Sequence, residues 1–440
     1  MGVGLISEGT MRARFNNTGS AAGNDIAGHA PIGDARPASS HARLRRGLLA
    51  AGLIGILALS AACSGDEGPA RWTNGGAGAG EDAAGPRLGA AVTSPAANAT
   101  GVAPSPVLTF TTQEAASTEL AVVDADGRPV AGTLEADEGR WKPRDPLRWG
   151  VTYTATVTVT GADGKTATTA SSFTTMERPD KLVNVSSFLG DGQTVGVGMP
   201  VMVNFGREVP PKLRDDVQRR MAVVSTPRQV GAWHWVDGDT VHYRPKTFWR
   251  AGSKVSVRIA ARGIPMGDGW FGGADLSVNF NIGPSLIMTV DNKAKSMVVR
   301  RDGAVVRTIP VSLGKPKTPS SSGTMLVMER LRKTVFDTVE ELGPEEGYRT
   351  KIEYAQRLTW GGEFIHSAPW SVASQGRANV SHGCVNMSPE NAEWLFKQTK
   401  LGDVVTVKGT EVSLRQGNGW TDWNLSWDQY VKGSALPVSG

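Results

Sequence analysis

Two histidines and one cysteine lie close together late in the chain, in Phe364-Ile365-His366-Ser367-Ala368-Pro369-Trp370 and Ser381-His382-Gly383-Cys384-Val385-Asn386. A free thiol has a pKa of about 8.5, so it is mostly protonated at neutral pH, yet the thiolate is what attacks carbonyls. A neighbouring imidazole can take the proton, giving an ion pair ready for acyl transfer. Its second nitrogen then needs an acceptor that fixes tautomer and direction. Gly383 removes a Cβ just before the sulfur, where successive backbone N–H groups could stabilise an oxyanion. Two other readings of these residues stand beside this one. A zinc site from His366, His382 and Cys384 is disfavoured by the tight 382/384 spacing and the lack of further cysteines. The other is a structural thiol with incidental histidines.

The 440 residues contain only two cysteines, Cys63 and Cys384. Cys63 closes the apolar run from Gly47 to Ala62, which follows Arg43, Arg45 and Arg46. A basic flank, a short apolar stretch and small residues before a cysteine predict an export signal, too short for a comfortable membrane span. The cysteine after Ala61-Ala62 resembles a bacterial lipoprotein signal, which implies that Cys63 becomes the lipidated first residue. Ser60 stands where a Leu is commoner, and Leu59 lies one place upstream. The leader before the apolar run is long, so translation is expected to start at Met11 or later. With Cys63 lipidated, Cys384 is left without a partner, as suits a reactive thiol. A net charge of +5 gives no case for nucleic acid and at most a preference for an anionic surface.

These residues need a scaffold, and the length allows two to four domains. Residues 1–62 read as the signal and 63–97 as the lipidated Cys and a Gly-, Ala-, Pro- and Ser-rich tether. From 98 to 282 the pattern is all-β. Residues 151–159 alternate apolar and polar side chains strictly, as do Val255, Val257 and Ile259 with their neighbours. Trp141-Lys142-Pro143 recurs as Tyr243-Arg244-Pro245, each followed by a Trp and an alternating strand. That period predicts two tandem Ig-like β-sandwich domains, 98–178 and 179–282, without the inter-sheet disulfide. His234 and His242 read there as core or surface histidines. Gly267-Asp268-Gly269 offers one carboxylate, too little for calcium.

From 283 to 408 short strands predict a further β-rich domain: Leu286 to Val290, Met297 to Arg300, Val305 to Val311 and a closing strand Val404 to Val407. Residues 312–357 read as an extended hairpin or lid over a site. Glu390 to Lys400 reads as a helix after Ser388-Pro389. In the extension 409–440, Trp420, Trp423, Trp427 and Tyr430 are spaced like one helical face, read as a stripe packed on a neighbouring domain, with a carbohydrate platform as the sharper alternative.

His366, then Ser381-His382-Gly383-Cys384-Val385-Asn386, resembles the signature of the YkuD-type L,D-transpeptidase catalytic domain. Gly347-Tyr348-Arg349-Thr350, the His366–Trp370 run and the Trp-rich tail are similar to the lipid-anchored subfamily with two Ig-like domains before the catalytic one. The resemblance covers roughly residues 98–435. It implies a cysteine acyltransferase that forms 3→3 peptidoglycan cross-links. Cys384 would be the nucleophile, His366 the general base and acid, and the Ser367 carbonyl its orienter. His382, Gly383 and Cys384 would form the oxyanion pocket, with Tyr348 close by. Gly361, Gly362 and Asn386 match substrate-contacting positions, although Gly361 replaces a frequent Ser. A stem tetrapeptide would be the donor and a diaminopimelate side-chain amine the acceptor. No cofactor or metal is implied, carbapenems would acylate Cys384, and the chain would sit lipid-anchored on the extracytoplasmic face of the cell membrane. The same site with water or another acceptor would give an L,D-carboxypeptidase, and an inert one a wall-binding scaffold. The lid residues Lys333 and Thr334 are more polar than an inner face requires.

Overall fold

The computed structural model describes residues 87–337 and 349–438. Cys63 with the apolar run read as a signal, and Tyr348, lie outside the described residues. No described helix is long and apolar enough to cross a membrane.

Two four-stranded sheets form the first sandwich. One orders Gly89–Ser94, Leu108–Gln113, Arg140–Pro143 and Gly132–Glu135; the other orders Ala99–Val102, Thr166–Thr175, Thr152–Thr160 and Ser117–Asp124. Tyr153, Ala155, Val157 and Val159 all turn inward, as strict alternation demands. The tether expected to run to residue 97 ends earlier. Gly89–Ser94 pairs antiparallel with Leu108–Gln113, because Leu88, Ala90 and Val92 find an apolar seat against Phe110, Val157 and Val159.

The second sandwich repeats the plan, with Ser186–Ser187, Val201–Asn204, Thr240–Pro245 and Gly231–Trp235 facing Thr194–Val195, Leu276–Ile282, Lys254–Ile259 and Met221–Thr226. The sequence repeat is a structural one: Trp141 and Tyr243 are both buried, each on a strand that precedes the next alternating strand. Asp268, at the tip between Pro265–Gly267 and Trp270–Gly272, adopts φ +52° and pairs with Arg207 at 3.0 Å.

The third part joins two sheets. A six-stranded sheet orders Ala304–Pro310, Ser296–Arg301, Leu286–Asp291, Val404–Lys408, Ser321–Leu326 and Val412–Ser413. A four-stranded sheet orders Glu329–Asp337, Arg349–Arg357, Phe364–Ser367 and Val385–Met387. Met288, Met325, Ile365, Val385, Met387 and Leu395 belong to the core they share. The helix Pro389–Gln398 starts at Ser388, whose hydroxyl accepts the Asn391 N–H, and buries Ala392 and Leu395. The expected excursion 312–357 is not one hairpin. Ser321–Leu326 enters the six-stranded sheet beside Val404–Lys408 because Met325, Leu326 and Val327 are too apolar for a lid, and the hairpin proper begins at Glu329.

The Trp-rich extension is not one helical face. Asp422–Asn424 and Trp427–Tyr430 are separate single turns, split by Leu425 in an extended conformation. The stripe nonetheless packs on the second sandwich. Trp423 Nε1 donates to the Gly198 carbonyl at 2.6 Å, and His242 Nδ1 meets Asp422 Oδ1 at 2.9 Å. His234 stacks on Tyr430 at 4.7 Å and donates from Nδ1 to its carbonyl. Arg244, 2% exposed, is enclosed by Trp423, Trp427 and Tyr430 at 4.4, 5.5 and 4.2 Å, and donates to the Leu425 carbonyl.

Candidate active site

Phe364–Ser367 and Val385–Met387 run parallel, with His366 opposite Asn386 and Ile365 opposite Val385. Paired residues of a ladder point to the same face, and faces alternate along each strand. Ile365, Val385 and Met387 therefore enter the shared core, whereas Phe364 and Cys384 belong to a smaller cluster with Ile352 and Ala355 on the opposite face. His366 shares that face. One strand spacing sideways and two residues along place its Cα about 8 Å from that of Cys384, a diagonal that an imidazole can span.

His366 is 3% exposed, and its Nδ1 lies 2.8 Å from the Ser367 carbonyl oxygen. A carbonyl only accepts, so Nδ1 carries the proton and Nε2 is left as the base. The Cys384 thiol donates to the Gly362 carbonyl oxygen at 3.6 Å. Burial lowers His366 to about 4, against the Ser367 bond that supports the charged ring. Burial also pushes the Cys384 thiol up to about 12; a backbone hydrogen bond from Phe364 opposes this and the Glu363 carboxylate adds to it. Both shifts favour the uncharged forms. They therefore oppose the ion pair expected from the sequence.

Buried serines fix the turn that carries the sulfur. Ser381 Oγ donates to the Cys384 carbonyl at 2.7 Å and accepts the Gly383 N–H at 3.1 Å, while Ser320 Oγ donates to the Gly383 carbonyl at 2.6 Å. Gly383 adopts φ +123°. A Cβ there would meet only Glu363 Cγ, at 3.7 Å, so the glycine serves conformation more than space. The Gly383 N–H is engaged by Ser381 Oγ.

His382 is exposed, with Nε2 2.9 Å from Lys315 Nζ. Asn386, matched to a substrate position, is 2% exposed; its Nδ2 donates to Ser371 Oγ and its Oδ1 is left without a hydrogen bond. Gly361 and Gly362 are exposed on the turn facing the thiol, and the Gly361 N–H donates to Asn418 Oδ1 at 2.8 Å. Among the described residues no three His, Cys, Asp or Glu side chains are grouped to hold a metal ion.

The lid hairpin roofs this face with apolar side chains. Phe336 lies 4.6 Å from Phe364 and 5.3 Å from His366, ring to ring. Tyr354 adopts φ +55°, which breaks the side-chain alternation, so Ile352 and Ala355 are both buried. Lys333 turns out to Glu353 at 3.4 Å. Thr334, opposite buried Ile352, stays on the inner face with Phe336, so the polarity expected there is carried outside for Lys333 alone. Trp370, 58% exposed, stands 6.0 Å from His366.

Sequence reasoning passed over Glu363, Ser320, Ser321, Phe336 and Asn418. Only Glu363 left a signal, a lone carboxylate between a Gly-Gly turn and an apolar strand.

The L,D-transpeptidase catalytic domain family matches residues 285–407, and the bacterial Ig domain family matches residues 99–265. L,D-transpeptidase 2 of Mycobacterium tuberculosis is 36% identical over 354 residues, 80% of this chain and 85% of the relative. L,D-transpeptidase 5 of the same organism is 33% identical over 353 residues, 78% of this chain and 76% of the relative. A crystal structure of L,D-transpeptidase 3 from M. tuberculosis with a faropenem-derived adduct is 31% identical and covers 52% of this chain and 98% of that one, with a TM-score of 0.44. With a thiol, an oriented imidazole and two relatives matched along most of their length, the chain belongs to the L,D-transpeptidases, the cysteine-dependent acyltransferases of peptidoglycan.

Proposed function

We propose that Cys384 carries a stem peptide as a thioester and passes it to an amine of a second stem, making a 3→3 cross-link. The supporting observation is the His366 Nδ1–H donated to the Ser367 carbonyl, which leaves Nε2 free to accept the thiol proton. In the first half-reaction the sulfur attacks the donor's carbonyl as its proton passes to His366. The carbon–nitrogen bond to the terminal D-alanine breaks, and His366 returns the proton to the leaving amine. In the second, the acceptor amine attacks the thioester, His366 takes its proton, and the released sulfur recovers it. The backbone of His382, Gly383 and Cys384 would form the oxyanion pocket, and the Gly361-Gly362 turn would line the donor. Asn386 and Tyr348 would contact the substrate. Carbapenems would acylate the same sulfur. Lipidation of Cys63 would hold the chain on the outer face of the membrane, with the sandwiches carrying the site toward the wall.

Muropeptide analysis after incubation with tetrapeptide stems tests the reaction. Cross-linked dimers are expected. Trimmed tripeptides without dimers would make water the acceptor and the enzyme a carboxypeptidase. Intact-mass measurement after carbapenem treatment should show an adduct that Cys384→Ala loses; no adduct on the wild-type chain would leave a wall-binding scaffold.

A further inference from the structure

The mechanism leaves one half-buried carboxylate unused. Glu363 sits between Gly362, whose carbonyl accepts the Cys384 thiol, and Phe364, which packs in the same cluster as the sulfur. Its Oε1 accepts both the N–H and the hydroxyl of Ser321, at 3.1 and 2.7 Å, so the group is fixed in place. Its Cγ would lie 3.7 Å from a Cβ on Gly383, the residue before the nucleophile. A half-buried carboxylate placed there acts on a developing thiolate more strongly than a fully solvated surface charge does.

We infer that Glu363 is a positioning residue that holds a fixed negative charge beside Cys384, keeping the nucleophile protonated until His366 takes its proton in the attack. The inference rests on Cys384 being the nucleophile. Among the described residues, the other ionisable groups around the sulfur are His366 on the adjoining strand and His382 with Lys315 before it. On the hairpin Arg357 pairs with Glu329, while Lys333 pairs with Glu353 on the outward face. The paired cations are spent on their own partners, and His366 is neutral at rest. Burial raises Glu363 above the usual carboxylate range, while the two Ser321 bonds pull it back.

The test is the pH profile of iodoacetamide alkylation on the full chain, followed at the Cys384 peptide by mass spectrometry. It needs no wall substrate, so it stands apart from the outcome of the cross-linking assay. Glu363→Gln keeps an acceptor for both Ser321 bonds and removes the charge. Above the Glu363 titration the variant should react about tenfold faster, one pKa unit of lost repulsion. The two profiles should converge at acid pH, where the wild-type carboxyl is itself protonated. An unchanged profile, or a uniform increase that persists at acid pH, would overturn the inference, since the latter signals altered access. Should Glu363→Gln fail to fold, Ser321→Ala serves instead. Loss of the hydroxyl should move the bend in the profile to higher pH, and an unmoved bend would count equally against the idea.

Discussion

Asn418 Oδ1 accepts the Gly361 N–H at 2.8 Å, so the C-terminal extension holds the turn whose next carbonyl receives the Cys384 thiol. The same extension is fastened to the second sandwich through Trp423 and Asp422. A continuous set of contacts thus runs from that sandwich to the nucleophile. Asn418→Ala removes one hydrogen bond, about 1 kcal/mol, and should slow carbapenem acylation roughly fivefold with little change in melting temperature. An unchanged acylation rate would detach the extension from the site.

Gly383→Ala tests conformation against space. With room for a Cβ but φ at +123°, the substitution should cost about 1–3 kcal/mol of strain. Because the strained residue precedes the nucleophile, cross-linking should fall at least a hundredfold, a loss worth about 3 kcal/mol of barrier. Steady-state dimer formation with stem substrates measures it.

Two buried groups give opposing pH dependences. His366 is lowered to about 4, so its stabilising neutrality is complete above the unfolded value near 6.5 and lost as pH falls to 4. Burial pushes Asp403 up to about 7, so its contribution is complete below its unfolded value near 3.8 and lost as pH rises to 7. Where the two windows overlap, the slopes oppose each other. Denaturant titrations should show His366→Gln gaining relative stability toward pH 4 and Asp403→Asn gaining it toward pH 8, each by about 3 kcal/mol. Parallel stability curves for the wild type and both variants would refute the pair.

Arg244 fills an aromatic enclosure formed by Trp423, Trp427 and Tyr430. Arg244→Ala leaves a cavity and strips the Leu425 carbonyl of its donor, a loss of about 3 kcal/mol. Limited proteolysis should then clip the extension after residue 414 faster than in the wild type, and an equal cleavage rate would show that the cage does not hold the tail.

The local pattern of residues determined much of this protein. Strict alternation over residues 151–159 and 255–259 set half-buried strands, because a period of two has one way to bury its apolar set. Ser388-Pro389 marked a helix start that the backbone honours. The His366, Gly383 and Cys384 constellation was legible from its residue types, whereas the role of Ser367, which acts through its backbone carbonyl, came only with the family resemblance. Short-range pattern failed where long-range pairing decided. Nothing local shows that Gly89–Ser94 is seated against Phe110, or that Ser321–Leu326 joins the central sheet. Nor does anything local announce the positive φ of Tyr354, beside which Ile352 and Ala355 are both buried in the cluster that holds the sulfur. Protonation at rest was also decided by the tertiary structure. A thiol and an imidazole read in sequence look like an ion pair, but burying both at a sheet face removes the water that would support their charges.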